Sequence, residues 1–247
     1  MSSRTRLDTL VVERGLTDSR TRARALVLAG QVSVNGVVVS KAGAPTPADA
    51  VITLARPDHP YVGRGGVKLA HALDTFGIDV TNRVALDIGA STGGFTDVLI
   101  QRGARRVVAL DVGHGQLAWK LRQHEKVVVL EGINARRLVP DMLPDDLRQF
   151  DLIAIDVAFI SLTLIIERLP ALLTPGGEVV ALVKPQFEAS RAEVGKKGVV
   201  TDPAVQQRVV EEVATAADRI GLTRVASTPS AITGAGGNQE FFLHLRT

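Results

Sequence analysis

The sequence predicts an α/β protein in which a doubly wound, Rossmann-like domain follows a small α+β domain, and three observations carry that prediction. From residue 82 onward, short apolar runs rich in β-branched residues (VALDIG, RVVAL, KVVVL, DLIAID and EVVALV) alternate with helix-like stretches. That is the rhythm of strands buried on both faces of a parallel sheet. Before residue 60 the elements are shorter and are punctuated by Gly, Asn and Pro. Charge is also divided unevenly: residues 1–72 hold ten Lys or Arg against five Asp or Glu, and residues 73–247 hold nineteen against twenty-one. A basic first segment on a near-neutral body points to a polyanion as the partner of the first segment only.

Element by element, Leu7, Leu10 and Val11 recur at i, i+3 and i+4 in a run closed by Gly15, which predicts a first helix. Thr17, Asp18 and Ser19 offer N-caps for a second, with Ala23, Leu26 and Val27 inward and Gly30 at its end. Val32 and Val34 lead into Asn35-Gly36, suited to the positive φ angles of a type I′ hairpin, and AVITL at 50–54 adds a strand. RPDHPY, with Pro57 and Pro60, reads as a linker over 55–63, between a first domain at 1–58 and a second at 64–247. In the second domain helices are expected at 95–101, at 116–123, at 162–173, and from Thr201-Asp202-Pro203 to about Ile220. EFFLHLR supplies a last strand.

The 247 residues are 45% apolar and 22% charged, which excludes wholesale disorder. With no cysteine there are no disulfides, thiolate metal sites or Cys nucleophiles, and a reducing cytoplasm is the expected location. MSSRTRLDTL lacks a secretion signal, and Asp156 interrupts the most apolar stretch, so neither export nor a membrane span is expected.

Asp87-Ile88-Gly89-Ala90-Ser91-Thr92-Gly93-Gly94-Phe95 follows the first strand of the second domain, and Asp111 ends the next strand. Glycines at a strand-to-helix turn admit a ligand to the backbone, and an acid at the second strand end accepts from ribose hydroxyls. Ser91 stands where a dinucleotide fingerprint has its second glycine, and no P-loop occurs. The pattern suits a nucleoside lacking a pyrophosphate, for which S-adenosylmethionine is the expected cofactor; the plain alternative is a tight turn with no ligand.

Asp156 and Lys184 close core strands, where an unpaired charge is costly, so both are expected at the carboxyl edge that borders the ligand crevice. If the last strand runs antiparallel, Glu240 starts at that same edge. Lys68, in GRGGVKLAHAL, taken alone reads as a solvated helix lysine and becomes a candidate only as a member of this set. Two lysines gathered beside two carboxylates repel one another, which frees one amine to accept a proton from a weakly acidic alcohol.

Lys68, Asp156, Lys184 and Glu240 resemble the Lys-Asp-Lys-Glu tetrad of the RrmJ/FtsJ-type ribose 2′-O-methyltransferases. The phrases ASTGGFTDVL, DVGHGQLAW, LVKPQFE and GNQEFFL are similar to the TlyA branch of that family, often labelled haemolysin A. The block at 4–54 resembles the α-L RNA-binding domain that precedes the methyltransferase there. The resemblance implies methyl transfer from S-adenosylmethionine to a ribose 2′-hydroxyl of ribosomal RNA, on a cytidine. Because the chain ends directly after its last strand, the large subunit is the expected substrate. It makes Lys68 the proton acceptor, Lys184 the residue that orients and polarises the hydroxyl, and Asp156 and Glu240 their positioning partners. The cofactor is then held around Gly89, Ala90, Ser91, Gly93 and Gly94, with Asp111 on its ribose, Asn134 near its adenine and Asp87 bracing the loop. GINAR around Asn134 reads equally well as a turn after a strand.

On the RNA side, Arg4, Arg6, Arg20, Arg24 and Lys41 are the expected phosphate contacts; Arg20 and Arg24 share a helix face from which Arg22 points away. The block has no aromatic residue, which favours recognition of folded RNA through shape and backbone. The loop at 190–200, with Lys196 and Lys197, is either a cover over RNA or an idle excursion. Three rivals remain: a base methyltransferase, although the Asp-Val-Ala-Phe strand end lacks the usual base-modifying motif; an RNA-binding assembly factor; and a pore-forming haemolysin, for which no membrane segment is evident.

Overall fold

The first unit runs β1 (Arg4–Arg6), α1 (Leu7–Glu13), α2 (Arg20–Leu28), β2 (Val32–Val34), β3 (Val37–Val38), β4 (Pro45–Pro47) and β5 (Ile52–Leu54). The computed structural model describes residues 4–17, 19–28, 30–54, 59–234 and 236–247; the cap candidate Asp18 and residues 55–58 of the expected linker lie outside them. By its internal contacts the chain divides into Met1–Pro60 and Tyr61–Thr247. Leu7, Leu10, Val11, Ala23, Val27, Val32 and Ile52 form the core of the first unit, while Leu26, expected inward, is only half-buried. Asn35 and Gly36 take φ of 49° and 80° between paired Val34 and Val37, as a type I′ hairpin requires. Ser19 Oγ accepts from Arg22 N at 3.3 Å and so caps α2. The antiparallel pair of β1 and β4 was not anticipated, because one strand carries two arginines and the other two prolines.

The second unit comprises α3 (Arg64–Phe76), β6 (Val84–Ile88), α4 (Gly94–Gln101), β7 (Arg106–Asp111), α5 (Trp119–Arg122), β8 (Val127–Glu131), β9 (Phe150–Ile155), α6 (Thr163–Ile166), β10 (Leu173–Val183), α7 (Pro185–Glu188), α8 (Pro203–Asp218), β11 (Thr223–Pro229) and β12 (Phe241–Arg246). Its sheet has the order β11-β12-β10-β9-β6-β7-β8, with β12 antiparallel to both neighbours and β6 to β10 mutually parallel. Side chains alternate across it. Leu86 and Ile88 face a core shared with α8, whereas Ala85, Leu152 and Leu182 face one built with Leu69, Leu73, Phe95 and Leu99 of α3 and α4. The helix α8 begins as expected, with Asp202 accepting from Ala204 N at 2.9 Å and Pro203 in the first turn.

Three expectations are corrected. The helix at 116–123 shrinks to α5, because the preceding segment is bent, with Gly115 at φ 68°, and is tied to the glycine loop by Ala118 N donating to Thr92 O at 3.1 Å. The helix at 162–173 is one turn of α6 and a 3-10 turn at Leu169–Leu172, since Pro170 cannot donate to a continuing helix; β10 then starts at Leu173, five residues before the apolar run. The strand β11 was missed, because an edge strand with mostly exposed, polar residues lacks an apolar pattern. Among the described residues no helix is long and apolar enough to cross a membrane.

Where the regular ladder of β10 with β9 resumes after a register shift, Glu178 is buried and accepts from Arg83, from Arg246 Nη2 at 2.5 Å and from His244 Nε2 at 3.0 Å. Burial opposes its ionisation, but the two guanidinium groups outweigh that and hold the carboxyl at about 2. Burial lowers His244 below 6.5 in spite of the carboxylate beside it. Both groups therefore bind protons more readily in the unfolded chain, so acidification removes stability, first below 6.5 through His244 and then from 4.5 towards 2 through Glu178. Glu178→Gln is expected to cost on the order of 2 kcal/mol at neutral pH, discounted for the half-exposed Arg246, and to flatten the acid limb of a melting-temperature profile. An unchanged profile would contradict this.

Candidate active site

Strand order reverses between β6 and β9, and at such a switch point the loops after the two strands diverge to leave a crevice at their carboxyl ends. One wall is the turn after β6. Asp156 N donates to Ile88 O at 2.9 Å, and Gly89, at φ 88°, lies so close to the end of β9 that a Cβ would stand 2.2 Å from Asp156 O. Only glycine satisfies both the left-handed backbone and that approach. Ser91 N and Gly113 N each donate to Asp111 at 2.7 Å, one to each carboxylate oxygen, which ties the glycine turn to the loop after β7.

The sequence-predicted residues do not all border the opening. Gly89, Ser91, Asp111 and Asn134 line a cleft of about 510 Å³, and Gly89, Ala90, Ser91 and Gly94 line an adjoining recess of about 180 Å³; Asp156 belongs to both. Asn134 is exposed and its Oδ1 accepts from Arg136 N at 3.0 Å, capping a 3-10 turn. Gly93 lies underneath, its Cα facing Leu117 and Leu121. Asp87 is wholly buried beneath the loop, where Oδ2 accepts from Thr96 Oγ1 at 2.5 Å and Oδ1 has no partner among the described residues. Burial pushes its carboxyl up to about 7, against the Thr96 hydrogen bond and aided by the charges of Asp156 and Asp111.

The four ionic residues form two pairs. Lys184 Nζ lies 2.5 Å from Asp156 Oδ1, an ion pair whose angle does not make a hydrogen bond. Lys68, on α3, donates to Glu240, and both side chains are nine-tenths buried. Because Val183 and Phe241 are paired in the antiparallel ladder of β10 and β12, Lys184 and Glu240 follow and precede adjacent positions at the same sheet edge. The helix carrying Lys68 reaches this edge through glycines: a Cβ on Gly94 would stand 2.9 Å from Gly66 N, and one on Gly65 would be 3.8 Å from Asp156 Oδ2. The backbones of α3 and α4 thus touch beside Asp156.

Sequence reasoning missed Phe159 at the opening and Glu188 behind it. Phe159 lines the larger cleft at 90% exposure with φ 64°, a strained conformation for a bulky side chain, and its ring is 5.2 Å from that of Phe187. Glu188 accepts from Ser161 Oγ at 2.6 Å and Leu162 N at 2.8 Å, joining the segment after Lys184 to the loop after Asp156; burial raises its carboxyl in spite of those bonds. Nothing in the Asp-Val-Ala-Phe string distinguishes an exposed phenylalanine from a core one. In the first unit, Arg4, Arg6, Arg20, Arg24 and Lys41 are all exposed.

Residues 61–247 match the FtsJ-like methyltransferase family and residues 5–51 match the S4 domain. The chain is 44% identical to the 16S/23S rRNA (cytidine-2′-O)-methyltransferase TlyA of Mycobacterium tuberculosis, over 100% of this chain and 91% of that protein. It is 42% identical to Hemolysin A of Brachyspira hyodysenteriae, over 97% and 98% of the two chains. A solved structure from Streptococcus thermophilus whose description calls it a hemolysin superposes with a TM-score of 0.77 at 41% identity, covering 100% of this chain and 90% of the other.

Replacement of Gly89 by alanine combines backbone strain with a main-chain clash, whereas Gly77, at φ 65°, has nothing within 4 Å of its would-be Cβ. Gly89→Ala is therefore expected to lower the melting temperature by about 4 °C or more and by more than Gly77→Ala does. Equal shifts in a calorimetric comparison would contradict the close approach of the loop to β9.

Proposed function

The chain belongs to the FtsJ-like methyltransferase family, and from that premise we propose that it transfers a methyl group from S-adenosylmethionine to the ribose 2′-hydroxyl of a cytidine in ribosomal RNA. The observation that carries the reading is the pair of lysine–carboxylate contacts at the carboxyl edge beside the glycine turn.

The lining fits the cofactor in size and in chemistry. A cleft of about 510 Å³ with a recess of about 180 Å³ has the capacity of a small-molecule site. Asp111 spends one acceptor position of each oxygen on Ser91 and Gly113, which leaves further lone pairs for a ribose diol, with Asn134 bordering the same cleft as the adenine-side residue. Gly89, Ala90, Ser91 and Gly94 then flank the remainder, while Asp87 and Gly93 brace the turn from below. When bound, the sulfonium supplies an electrophilic methyl group.

The chain's own residues have the work of alignment and proton removal. Lys184 belongs to the pair that borders the crevice through Asp156, whereas Lys68 is set against Glu240 in deeper burial. That difference favours Lys184 as the amine that meets the ribose hydroxyl: once its ammonium has released a proton to solvent, the neutral amine accepts the hydroxyl proton as the oxygen–carbon bond forms and the carbon–sulfur bond breaks. Lys68, to which the resemblance gives that role, then holds Glu240 and the edge of the site. The first unit, with its S4 match and exposed arginines, docks the RNA backbone.

Lys184→Ala is expected to lower methyl transfer to ribosomal RNA by about 100-fold or more while cofactor affinity in calorimetry changes little. Nuclease digestion and mass spectrometry of the product are expected to place the methyl group on the sugar. Methylation of the base, or full activity in the variant, would contradict the reading, and the use of separate ribosomal subunits as substrates identifies which RNA is modified.

A further inference from the structure

The first unit owes its basic character to exposed arginines, yet one acid in it is almost completely buried. Asp8, in the first turn of α1, is 2% exposed. Arg6 grips it with two parallel bonds, Nε to Oδ1 at 3.0 Å and Nη2 to Oδ2 at 2.7 Å, and Arg20 of α2 reaches Oδ2 with Nη2 at 3.4 Å. The hydrogen bonds from Arg6, against the effect of burial, hold the carboxyl at about 2, so it is ionised at any ordinary pH.

Arg6 is also fixed from a second direction. Its guanidinium lies over Gly43, where a Cβ would stand 2.8 Å from Nη1, 3.1 Å from Cζ and 3.2 Å from Nη2. The absence of a side chain at 43 is therefore what lets the planar group settle there. The side chains of Arg6 and Arg20 nonetheless remain 55% and 61% exposed, leaving donors open to solvent. Arg4 shares a strand face with Arg6, and Arg24 lies one turn beyond Arg20. Among the described residues Arg4, Arg24 and Lys41 make no ion pair.

We infer that Asp8 and Gly43 are positioning residues that pre-set Arg6 and Arg20 as paired forks for the phosphates of a folded RNA. The inference rests on the reading of the first unit as the RNA-docking part. A guanidinium meets a phosphate bidentately only in a fixed plane, and a side chain fixed on folding loses no further freedom on binding. The consequence has a distinctive sign. By charge alone, removal of an acid from a basic surface strengthens its hold on a polyanion; as a positioning residue, Asp8 has the opposite effect.

The test measures binding of the full chain and its variants to purified ribosomal subunits across a KCl series, with melting temperature and cofactor affinity recorded alongside. Asp8→Asn is expected to weaken binding about tenfold although it raises net charge by one. Gly43→Ala alters no charge and displaces only the tip of a flexible side chain, so it is expected to weaken binding about fivefold at unchanged melting temperature and to add nothing on top of Arg6→Ala. Binding by Asp8→Asn as tight as wild type or tighter would overturn the inference, as would a Gly43→Ala loss that simply adds to that of Arg6→Ala. If Asp8→Asn fails to fold, the Gly43 arm decides. A wild-type chain that binds no ribosomal subunit would instead overturn the docking reading and this inference with it.

Discussion

Ionised side chains at the ends of core strands are tolerable only if each finds its opposite, and that requirement shapes the second unit around its crevice. Lys184 and Asp156 end neighbouring parallel strands and meet directly. Lys68 and Glu240 come from elements 172 residues apart, and their meeting demands two structural decisions. The last strand must enter the sheet in reverse, so that its first residue rather than its last stands at the carboxyl edge. The helix carrying Lys68 must also press its backbone against α4, which the bare Cα of Gly94 allows. Once those are satisfied, the glycine turn, Asp111 and the four charged groups share one edge of the sheet.

The parts of this arrangement that were legible in the sequence are those fixed by local chemistry. Five β-branched runs became β6 to β10, Asn35-Gly36 became a hairpin, and Asp202-Pro203 began α8, because each depends on backbone preferences of a few residues. Asp156 and Lys184 stood out because a charge closing an apolar run is anomalous wherever it occurs. Long-range information was harder to read. The pairing of Lys68 with Glu240 depends on strand direction and helix approach, and no window of sequence around Lys68 distinguishes it from a solvated helix lysine. The exposed Phe159 and the buried Asp8 were hidden for the same reason: residue type sets a burial preference, and tertiary packing decides against it. Pro170 is a local signal as well: it stands inside the stretch 162–173 and breaks it into two short turns.

The two units use buried carboxylates in different ways. In the first, the ionised Asp8 is held by two arginines that stay largely exposed. In the second, Glu178 knits the amino ends of the sheet together at the end remote from the crevice, and Asp87 sits beneath the glycine turn with no cationic partner among the described residues, only the Thr96 hydroxyl, and its carboxyl is raised to about 7. Placement decides each outcome: guanidinium partners keep a buried acid ionised, while apolar enclosure beside other carboxylates does the reverse.

The central claim is that the proposed tetrad works as coupled pairs, and a double-mutant cycle on the buried pair tests it most directly. Single-turnover methyl transfer is to be measured for Lys68→Ala, Glu240→Ala and the double variant, each at saturating cofactor. If the two groups act as one unit, the double variant loses about as much activity as either single one. Losses that multiply would show that Lys68 and Glu240 act independently and would contradict the account.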